Sequence, residues 1–250
     1  MDIGICRLAV IPVRAENSHR SEMVSQLLFG ECYNILEKND DWIHISTIND
    51  DYTGWIQSKQ HHEVSEHFMN GYIHGEKFRV VSPVLSYNSS MLTMGAVLTE
   101  DELPDTLTSV ISEKLLHSLP ITEKRKFLEK NAFKLMGAPY LWGGRTPFGI
   151  DCSGFSQLVY SLIGVQLPRD ASQQVNHGTP VDFLSEAQSG DLAFFQNEDG
   201  NIVHVGIILE NSQIIHSSGQ VRIDKIDETG IFNKDVGKYT HYLRIIKKIL

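Results

Sequence analysis

Residues 140–155 read YLWGGRTPFGIDCSGF. The first part is rich in glycine and typical of a loop, and its end opens a helix, because apolar residues recur at helical spacing from Phe155 to Ile163. Cys152 therefore lies in the first helical turn, where free N–H groups and the helix dipole stabilise a thiolate. A single cysteine can also be a small buried residue, but this position favours a nucleophile. Tyr140, in the preceding loop, is the candidate partner of the Cys152 N–H in an oxyanion site.

Two of the eleven histidines lie in segments whose side-chain pattern alternates between two faces, as in a β-strand. His204 shares a face of the strand predicted over 202–209 with Gly206, and His216 ends the strand predicted over 214–216. An imidazole is the usual base for a thiol nucleophile. A cysteine at a helix start that faces two imidazoles on adjacent strands is the arrangement of a papain-like site. Periodicity alone leaves this interpretation open.

The two histidines can act together only if both point to the same side of the sheet. A two-residue turn between their strands would place them on opposite faces. A three-residue loop over 210–212 pairs Leu209 with Gln213 and makes His204 and His216 diagonal neighbours on one face. We therefore predict an odd-numbered loop here, or a bulge of equal effect.

Composition limits the function classes. The chain has 250 residues, 41% of them hydrophobic, which suits two or three globular domains. Its formal charge of -9 argues against nucleic-acid binding and against adhesion to an anionic membrane. No apolar stretch long enough for a membrane span occurs in the sequence, so membrane insertion is not expected.

The three cysteines are odd in number and show no CxxC spacing, so neither a disulfide framework nor a zinc site is expected. The segment His62–His67 resembles a zinc-protease motif, but its second histidine is one residue late. No metal or cofactor is therefore expected. The first residues lack the pattern of a signal peptide, which predicts a cytoplasmic protein, or an exported one if a signal has been trimmed away.

The chain divides into three parts. Residues 1–60 contain short apolar runs separated by polar turns, which predicts a small β-barrel, with a single antiparallel sheet as the alternative. Residues 61–119 read as a linker and a second small SH3-like domain, with a short helix over 104–119. Residues 120–250 place helices before strands, which predicts an α+β domain.

Five motifs in this last part occur in the order of the NlpC/P60 cysteine peptidases. They are YLWGGRTPFGIDCSGF (140–155), LPRDASQQ (167–174), SGDLAFF (189–195), HVGIIL (204–209) and IIHSSG (214–219). The resemblance implies a papain-like fold and hydrolysis of γ-D-glutamyl bonds in murein peptides. It maps the nucleophile, the base and the residue that orients the base onto Cys152, His204 and His216.

The N-terminal part resembles a bacterial SH3 domain in VRAENSHRSEMVSQLLFGE (13–31), WIHI (42–45) and DYTGWI (51–56). Such a domain precedes the catalytic domain in YkfC-type γ-D-glutamyl-L-diamino-acid endopeptidases, where it closes one end of the cleft. The resemblance implies that Glu22, Tyr52 and Asp170 bind the free amine of an N-terminal L-Ala. It also marks Ala171 as a departure, since that group often carries a serine there.

Asp151 and Ser153 flank the nucleophile and complete the set of expected substrate-binding residues. The two acidic positions, Asp151 and Asp170, argue against a lipid substrate and hence against an acyltransferase. The sequence predicts a cysteine peptidase acting on murein peptides in cell-wall recycling. The alternatives are an exported hydrolase of intact peptidoglycan and an inert protein that binds wall peptides. The sequence does not decide the diamino acid or the oligomeric state.

Overall fold

The computed structural model describes residues 2–88, 90–103 and 107–250. Two β-rich parts precede a C-terminal part in which helices pack on an antiparallel sheet, so the predicted α+β class is confirmed. None of the helices in the described ranges is both long enough and apolar enough to cross a bilayer.

The N-terminal part is a six-stranded antiparallel barrel with strand order β1-β4-β5-β6-β2-β3. Its strands are β1 (Ile3–Ile5), β2 (Val10–Arg14), β3 (Met23–Leu28), β4 (Cys32–Lys38), β5 (Trp42–Thr47) and β6 (Thr53–Gln57). The apolar runs at 8–13, 32–36, 42–45 and 54–56 predict four of the six strands, and β1 and β3 are missed. Strand β1 is only three residues long, and the last four residues of β3 are all buried, so neither strand shows the alternation that marks a half-exposed strand.

The middle part combines a three-stranded sheet of order β10-β7-β11, a hairpin β8-β9 and two short helices. The elements are α1 (Glu66–His74), β7 (Lys77–Val80), β8 (Val84–Tyr87), β9 (Ser90–Thr93), β10 (Val97–Thr99), β11 (Val110–Ser112) and α2 (Glu113–Ser118). The predicted helix over 104–119 is wrong for 110–112, which pair with β7, and its residues 104–106 lie outside the described ranges. Assignment of 61–119 to a second SH3-like domain stays a prediction.

The C-terminal part begins with α3 (Ile121–Phe133) and continues with α4 (Cys152–Ser161) and the short α5 (Ala171–Gln174). The strands are β12 (Arg145–Thr146), β13 (Gly149–Ile150), β14 (Thr179–Val181), β15 (Leu192–Gln196), β16 (Ile202–Leu209), β17 (Gln213–Ser218), β18 (Gln220–Ile226), β19 (Gly230–Asn233) and β20 (Lys238–Lys248). Strands β12 and β13 pair with each other, and the other seven form one sheet.

The long strand β20 curls this sheet on itself, because it pairs with β15 and β14 along one part of its length and with β19 along another. Apolar side chains cover both faces. Helix α4 packs on β16 and β17 from one side, and a smaller cluster that includes Phe195, Ile208 and Ile214 fills the other. The curl thus brings β16, β17, β18 and β20 around one small space.

The hairpin between β16 and β17 has the register that the sequence analysis predicts. Leu209 pairs with Gln213 across the three-residue loop 210–212, in which Asn211 and Ser212 have positive φ. Gly206 faces the next strand so closely that a Cβ there would lie 2.9 Å from the Cβ of His216. The missing side chain at this position therefore leaves room for the two imidazoles.

A buried ion pair joins the barrel to the C-terminal part. The guanidinium of Arg145 donates two hydrogen bonds of 2.9 Å to the carboxylate of Glu31 and a third to the backbone oxygen of Gln26. The backbone N–H of Arg145 donates to the side chain of Gln26. Gly143, with φ of 76°, approaches the backbone of Met23 so closely that no side chain would fit there. The barrel is therefore docked in one orientation.

We expect Glu31→Gln to lower the free energy of unfolding by about 3 kcal/mol, because it leaves the buried Arg145 charge uncompensated. Urea denaturation measures the change. The control is Glu123→Gln, which removes the exposed pair with Lys126 and is expected to cost less than about 0.5 kcal/mol. Equal effects of the two variants would show that the buried pair does not hold the domains together.

Candidate active site

The first residue of α4 is Cys152, and Asp151 caps the helix by accepting the N–H of Gly154 at 2.7 Å. The Cys152 side chain is buried, with 5% exposure, and its sulfur accepts the backbone N–H of Val205, the residue after His204. It lines a cavity of about 520 Å³ that lies between the barrel and the C-terminal part. The structure thus joins the predicted nucleophile to the strand of the predicted base.

Burial and the neighbouring Asp151 carboxylate raise the pKa of the Cys152 thiol to about 11, against the opposing effects of the Val205 N–H and of Arg169. The N–H of Ser153, in the first turn of the helix, also lowers this pKa, in the direction that the sequence analysis expects. Desolvation of the sulfur outweighs the helix dipole here. A thiolate forms at this site only with a proton acceptor beside it.

The two predicted histidines form a hydrogen-bonded pair. Nε2 of His204 lies 2.8 Å from Nδ1 of His216, and both side chains are buried. Nε2 of His216 lies 3.1 Å from a carboxylate oxygen of Asp224, on β18. A one-residue irregularity in the β15–β16 pairing leaves Val203 without a partner directly before His204. Such bulges commonly aim a side chain into an active site.

The Asp224 carboxylate determines the tautomers along this chain. Burial alone would raise the pKa of Asp224, but hydrogen bonds from His216 and Arg222 hold it below its ordinary value. An ionised carboxylate only accepts, so Nε2 of His216 donates to it and Nδ1 accepts from Nε2 of His204. Nδ1 of His204 is then left without a proton. Burial also lowers the pKa of both imidazoles, which keeps them neutral and leaves His204 able to accept a proton.

Sequence reasoning misses Asp224, although it completes the hydrogen-bonded relay His204, His216, Asp224. It lies opposite Ile214 across the β17–β18 pairing, diagonal to His216, and Arg222 binds it at 2.7 Å. Strand β18 carries a mixed polar pattern that fits an exposed strand as well as a buried one. No fixed spacing from the histidines marks this acid, so only the register reveals it.

Asp151 has a second role besides capping. Its oxygens accept the N–H of Gly143 and both terminal nitrogens of Arg169, which is only 2% exposed. Arg169 also donates to Ser153 and to Ser25 of the barrel. Both Asp151 oxygens are thus occupied by protein donors. Direct binding of substrate by Asp151 or Ser153 stays a prediction, although both line the cavity.

The sequence analysis gives Arg169 no role, and the structure makes it the partner of the acid beside the nucleophile. The sequence does not distinguish this arginine from an exposed one, because its burial is visible only in the structure. A buried arginine requires a carboxylate close by.

Tyr140 lies near the nucleophile, on the loop that leads to it. Burial and the nearby Cys152 and Asp151 charges raise the pKa of its phenol to about 12, so the phenol stays protonated and able to donate. The backbone of Tyr140 is held by a hydrogen bond to Gly219. This position is compatible with the predicted oxyanion role, which stays a prediction.

The three residues predicted to bind an amine all line the cavity, although they come from distant parts of the sequence. Glu22 and Tyr52 of the barrel line it together with Asp170. The Tyr52 hydroxyl lies 3.5 Å from Asp170, and burial raises the pKa of this carboxyl group. Glu22 accepts a hydrogen bond from the indole of Trp142. The expected departure, Ala171, lines the same cavity and offers no side-chain hydrogen bond.

His204, His216 and His241 are the cluster that a metal ion would most readily meet, with one nitrogen of each lying within 4.8 Å of the others. The nitrogens of His204 and His216 already bond to each other. The rings of His204 and His241 stack at 4.0 Å with planes only 27° apart, so their in-plane lone pairs run side by side. This geometry suits a proton relay better than a metal site.

Comparison with known proteins agrees with this geometry. Residues 137–239 match the NlpC/P60 family, and residues 13–60 match the bacterial dipeptidyl-peptidase SH3 domain. The chain is 26% identical to the gamma-D-glutamyl-L-lysine dipeptidyl-peptidase of Bacillus subtilis over 219 residues, which cover 77% of this chain and 71% of that protein. It is 28% identical to dipeptidyl-peptidase 6 of Lysinibacillus sphaericus over 246 residues, covering 86% and 88%.

The crystal structure of an NlpC/P60 family protein from Bacillus cereus superposes with a TM-score of 0.83 and covers 99% of both chains, at 17% sequence identity. This similarity shows that the three parts share a fold with that protein. The sequence matches extend over both the barrel and the C-terminal part. The chain therefore carries an NlpC/P60 peptidase domain preceded by an N-terminal bacterial SH3 domain.

Proposed function

We propose that this peptidase hydrolyses the bond after γ-D-Glu in murein peptides of the form L-Ala-γ-D-Glu-L-diamino acid, and that it requires a free N-terminal amine. The observation that carries the proposal is the composition of the cavity. The nucleophile Cys152 lines it, and the SH3 domain contributes the carboxylate of Glu22 and the hydroxyl of Tyr52 to the same lining. The two relatives named above cleave peptides as dipeptidyl-peptidases, according to their names, and one acts on a γ-D-glutamyl bond.

The reaction begins when Nδ1 of His204 takes the thiol proton of Cys152 and the sulfur attacks the γ-carbonyl carbon. The developing oxyanion accepts hydrogen bonds from the Cys152 N–H and the Tyr140 hydroxyl. The protonated His204 then gives its proton to the leaving amine of the diamino acid. Water attacks the thioester with His204 as base again, which releases the dipeptide acid and restores the thiol.

The lining of the cavity explains why the substrate would carry a free amine. Glu22 and Asp170 supply carboxylates and Tyr52 a hydroxyl, a set that suits an ammonium group in a partly dry pocket. A peptide still attached to glycan has its L-Ala nitrogen in an amide. The proposed substrates are therefore peptides already released from the wall, as in recycling.

We expect Cys152→Ala to lower kcat/KM on L-Ala-γ-D-Glu-L-Lys by about 10⁴-fold or more, because no other group can form the acyl-enzyme. Mass spectrometry of the released L-Ala-γ-D-Glu measures it. Cys32→Ala is the matched control, since Cys32 is also a buried free thiol but lies in the barrel. Activity above a few per cent in the Cys152 variant would contradict the assignment.

We expect Tyr140→Phe to lower kcat by roughly 10²-fold, with little change in KM, because the hydroxyl acts only when the oxyanion forms. Initial rates on the same tripeptide measure both constants. Thermal unfolding of the variant shows whether the fold is intact. An unchanged kcat in a folded variant would remove Tyr140 from the oxyanion site.

We expect acetylation of the substrate's N-terminus to reduce kcat/KM by roughly thirtyfold or more, about 2 kcal/mol, because the half-buried Asp170 carboxylate loses its ammonium partner. Glu22→Gln is expected to weaken this discrimination. Glu16→Gln, a change to an exposed acid on the same loop, is the control. The same requirement predicts cleavage of free tripeptide but not of intact sacculi. Equal rates on free and acetylated peptide would show that the SH3 domain does not select the amine.

A further inference from the structure

His241 is the one member of the histidine cluster to which the mechanism gives no role. It lies on β20, and its ring stacks on that of His204 with centroids 4.0 Å apart and an interplanar angle of 27°. The contact with His216 is edge-on, at 5.7 Å. Phe195 of β15 meets the rings of both His204 and His241. The face of the catalytic imidazole is thus covered by a second imidazole.

The fold aims His241 at this position by a local irregularity in its strand. Ile231 pairs with His241 and Phe232 pairs with Tyr239, so Thr240 has no partner in β19. A bulge of this kind bends the strand and redirects the side chain beside it. The Thr240 hydroxyl lies 3.0 Å from Nδ1 of His241, which anchors the ring. The stacking therefore follows from the register of the sheet and a local hydrogen bond.

His241 takes no part in the hydrogen-bonded relay. The bonds of that relay run from His204 to His216 and from His216 to Asp224. What His241 offers the base is its ring face. A neutral aromatic face attracts a cation placed over it, and the attraction grows when water is excluded. The base becomes such a cation each time it takes the thiol proton.

We propose that His241 is a positioning residue that stabilises the imidazolium of His204 through its stacked, neutral ring, and thereby favours transfer of the proton from Cys152. The site otherwise disfavours this proton transfer. Burial raises the pKa of Cys152 and lowers the pKa of His204, so both charges of the thiolate–imidazolium pair are disfavoured. A ring face adds attraction without adding a charge.

The charge state of His241 fits this role. Burial, followed by the effect of His216, lowers its pKa to about 4, while Asp224 acts in the opposite direction. The groups that face it are His204 on β16, His216 on β17 and Asp224 on β18, with the aromatic Phe195 on β15. His241 is thus neutral at neutral pH. Its protonation in acid would replace attraction for the imidazolium by repulsion.

The proposal rests on the assigned nucleophile and base, and its test uses the thiol itself rather than a peptide. Alkylation of Cys152 by iodoacetamide reports the population of thiolate and needs no knowledge of the substrate. The wild-type chain is compared with two aromatic variants, His241→Phe and His241→Tyr, and two non-aromatic ones, His241→Leu and His241→Gln. His44→Leu is the matched control, because His44 stacks on Trp55 within the barrel. Circular dichroism checks the fold of each.

We expect the non-aromatic variants to be alkylated about tenfold to thirtyfold more slowly at pH 7, with the pH profile displaced upward by about one unit or more. The aromatic variants should stay within about threefold of the wild type, as should His44→Leu. If the Leu and Gln variants are alkylated at the wild-type rate, or all four variants are equally slow, the ring face has no such effect. Failure to cleave tripeptide while this alkylation pattern holds would instead refute the proposed substrate alone.

Discussion

The buried pair between Asp151 and Arg169 is the interaction on which the rest of the site depends. Asp151 caps the helix that carries Cys152 and holds the glycine-rich loop through Gly143. A lone carboxylate in this position would oppose a thiolate. Arg169 offsets its charge and, through Ser25, reaches the barrel. One ion pair thus links the nucleophile, the cleft wall and the neighbouring domain. Because the pair is buried, loss of either partner would leave an uncompensated charge in the interior.

The cleft belongs to two domains, and this shapes its chemistry. The C-terminal part supplies the nucleophile and Asp170, whereas the barrel supplies Glu22 and Tyr52. Neither part alone has the complete lining. The Arg145–Glu31 pair fixes the position of the barrel relative to the C-terminal part. Selection of a peptide end therefore depends on domain docking as much as on the residues that line the pocket. The barrel is in this sense part of the active site.

Burial has two opposite effects on the catalytic groups: it disfavours their charged forms, and it strengthens the interactions that stabilise charge when it appears. It keeps the thiol protonated and the imidazoles neutral, since a charge in a dry site is costly. It also strengthens every hydrogen bond in the relay that ends at Asp224, and every contact between a developing charge and a fixed dipole. The resting site is therefore uncharged at the sulfur and at the base. The charges appear together, during the reaction, where the surrounding groups are already oriented.

The shared face of His204 and His216 was predicted from what the chemistry requires, and the register of the hairpin decided it. The sequence by itself determined the class of fold and the position of Cys152 at a helix start. These follow from local rules, because helix periodicity, strand alternation and hairpin loop length involve residues close along the chain. Only the tertiary structure decided which acid completes the relay, which cation neutralises Asp151, and what covers the base. Asp224, Arg169 and His241 carry no spacing that marks them, since their roles depend on strand register, on a bulge and on the docking of separate elements. Such contacts form only when the curled sheet and the two domains come together.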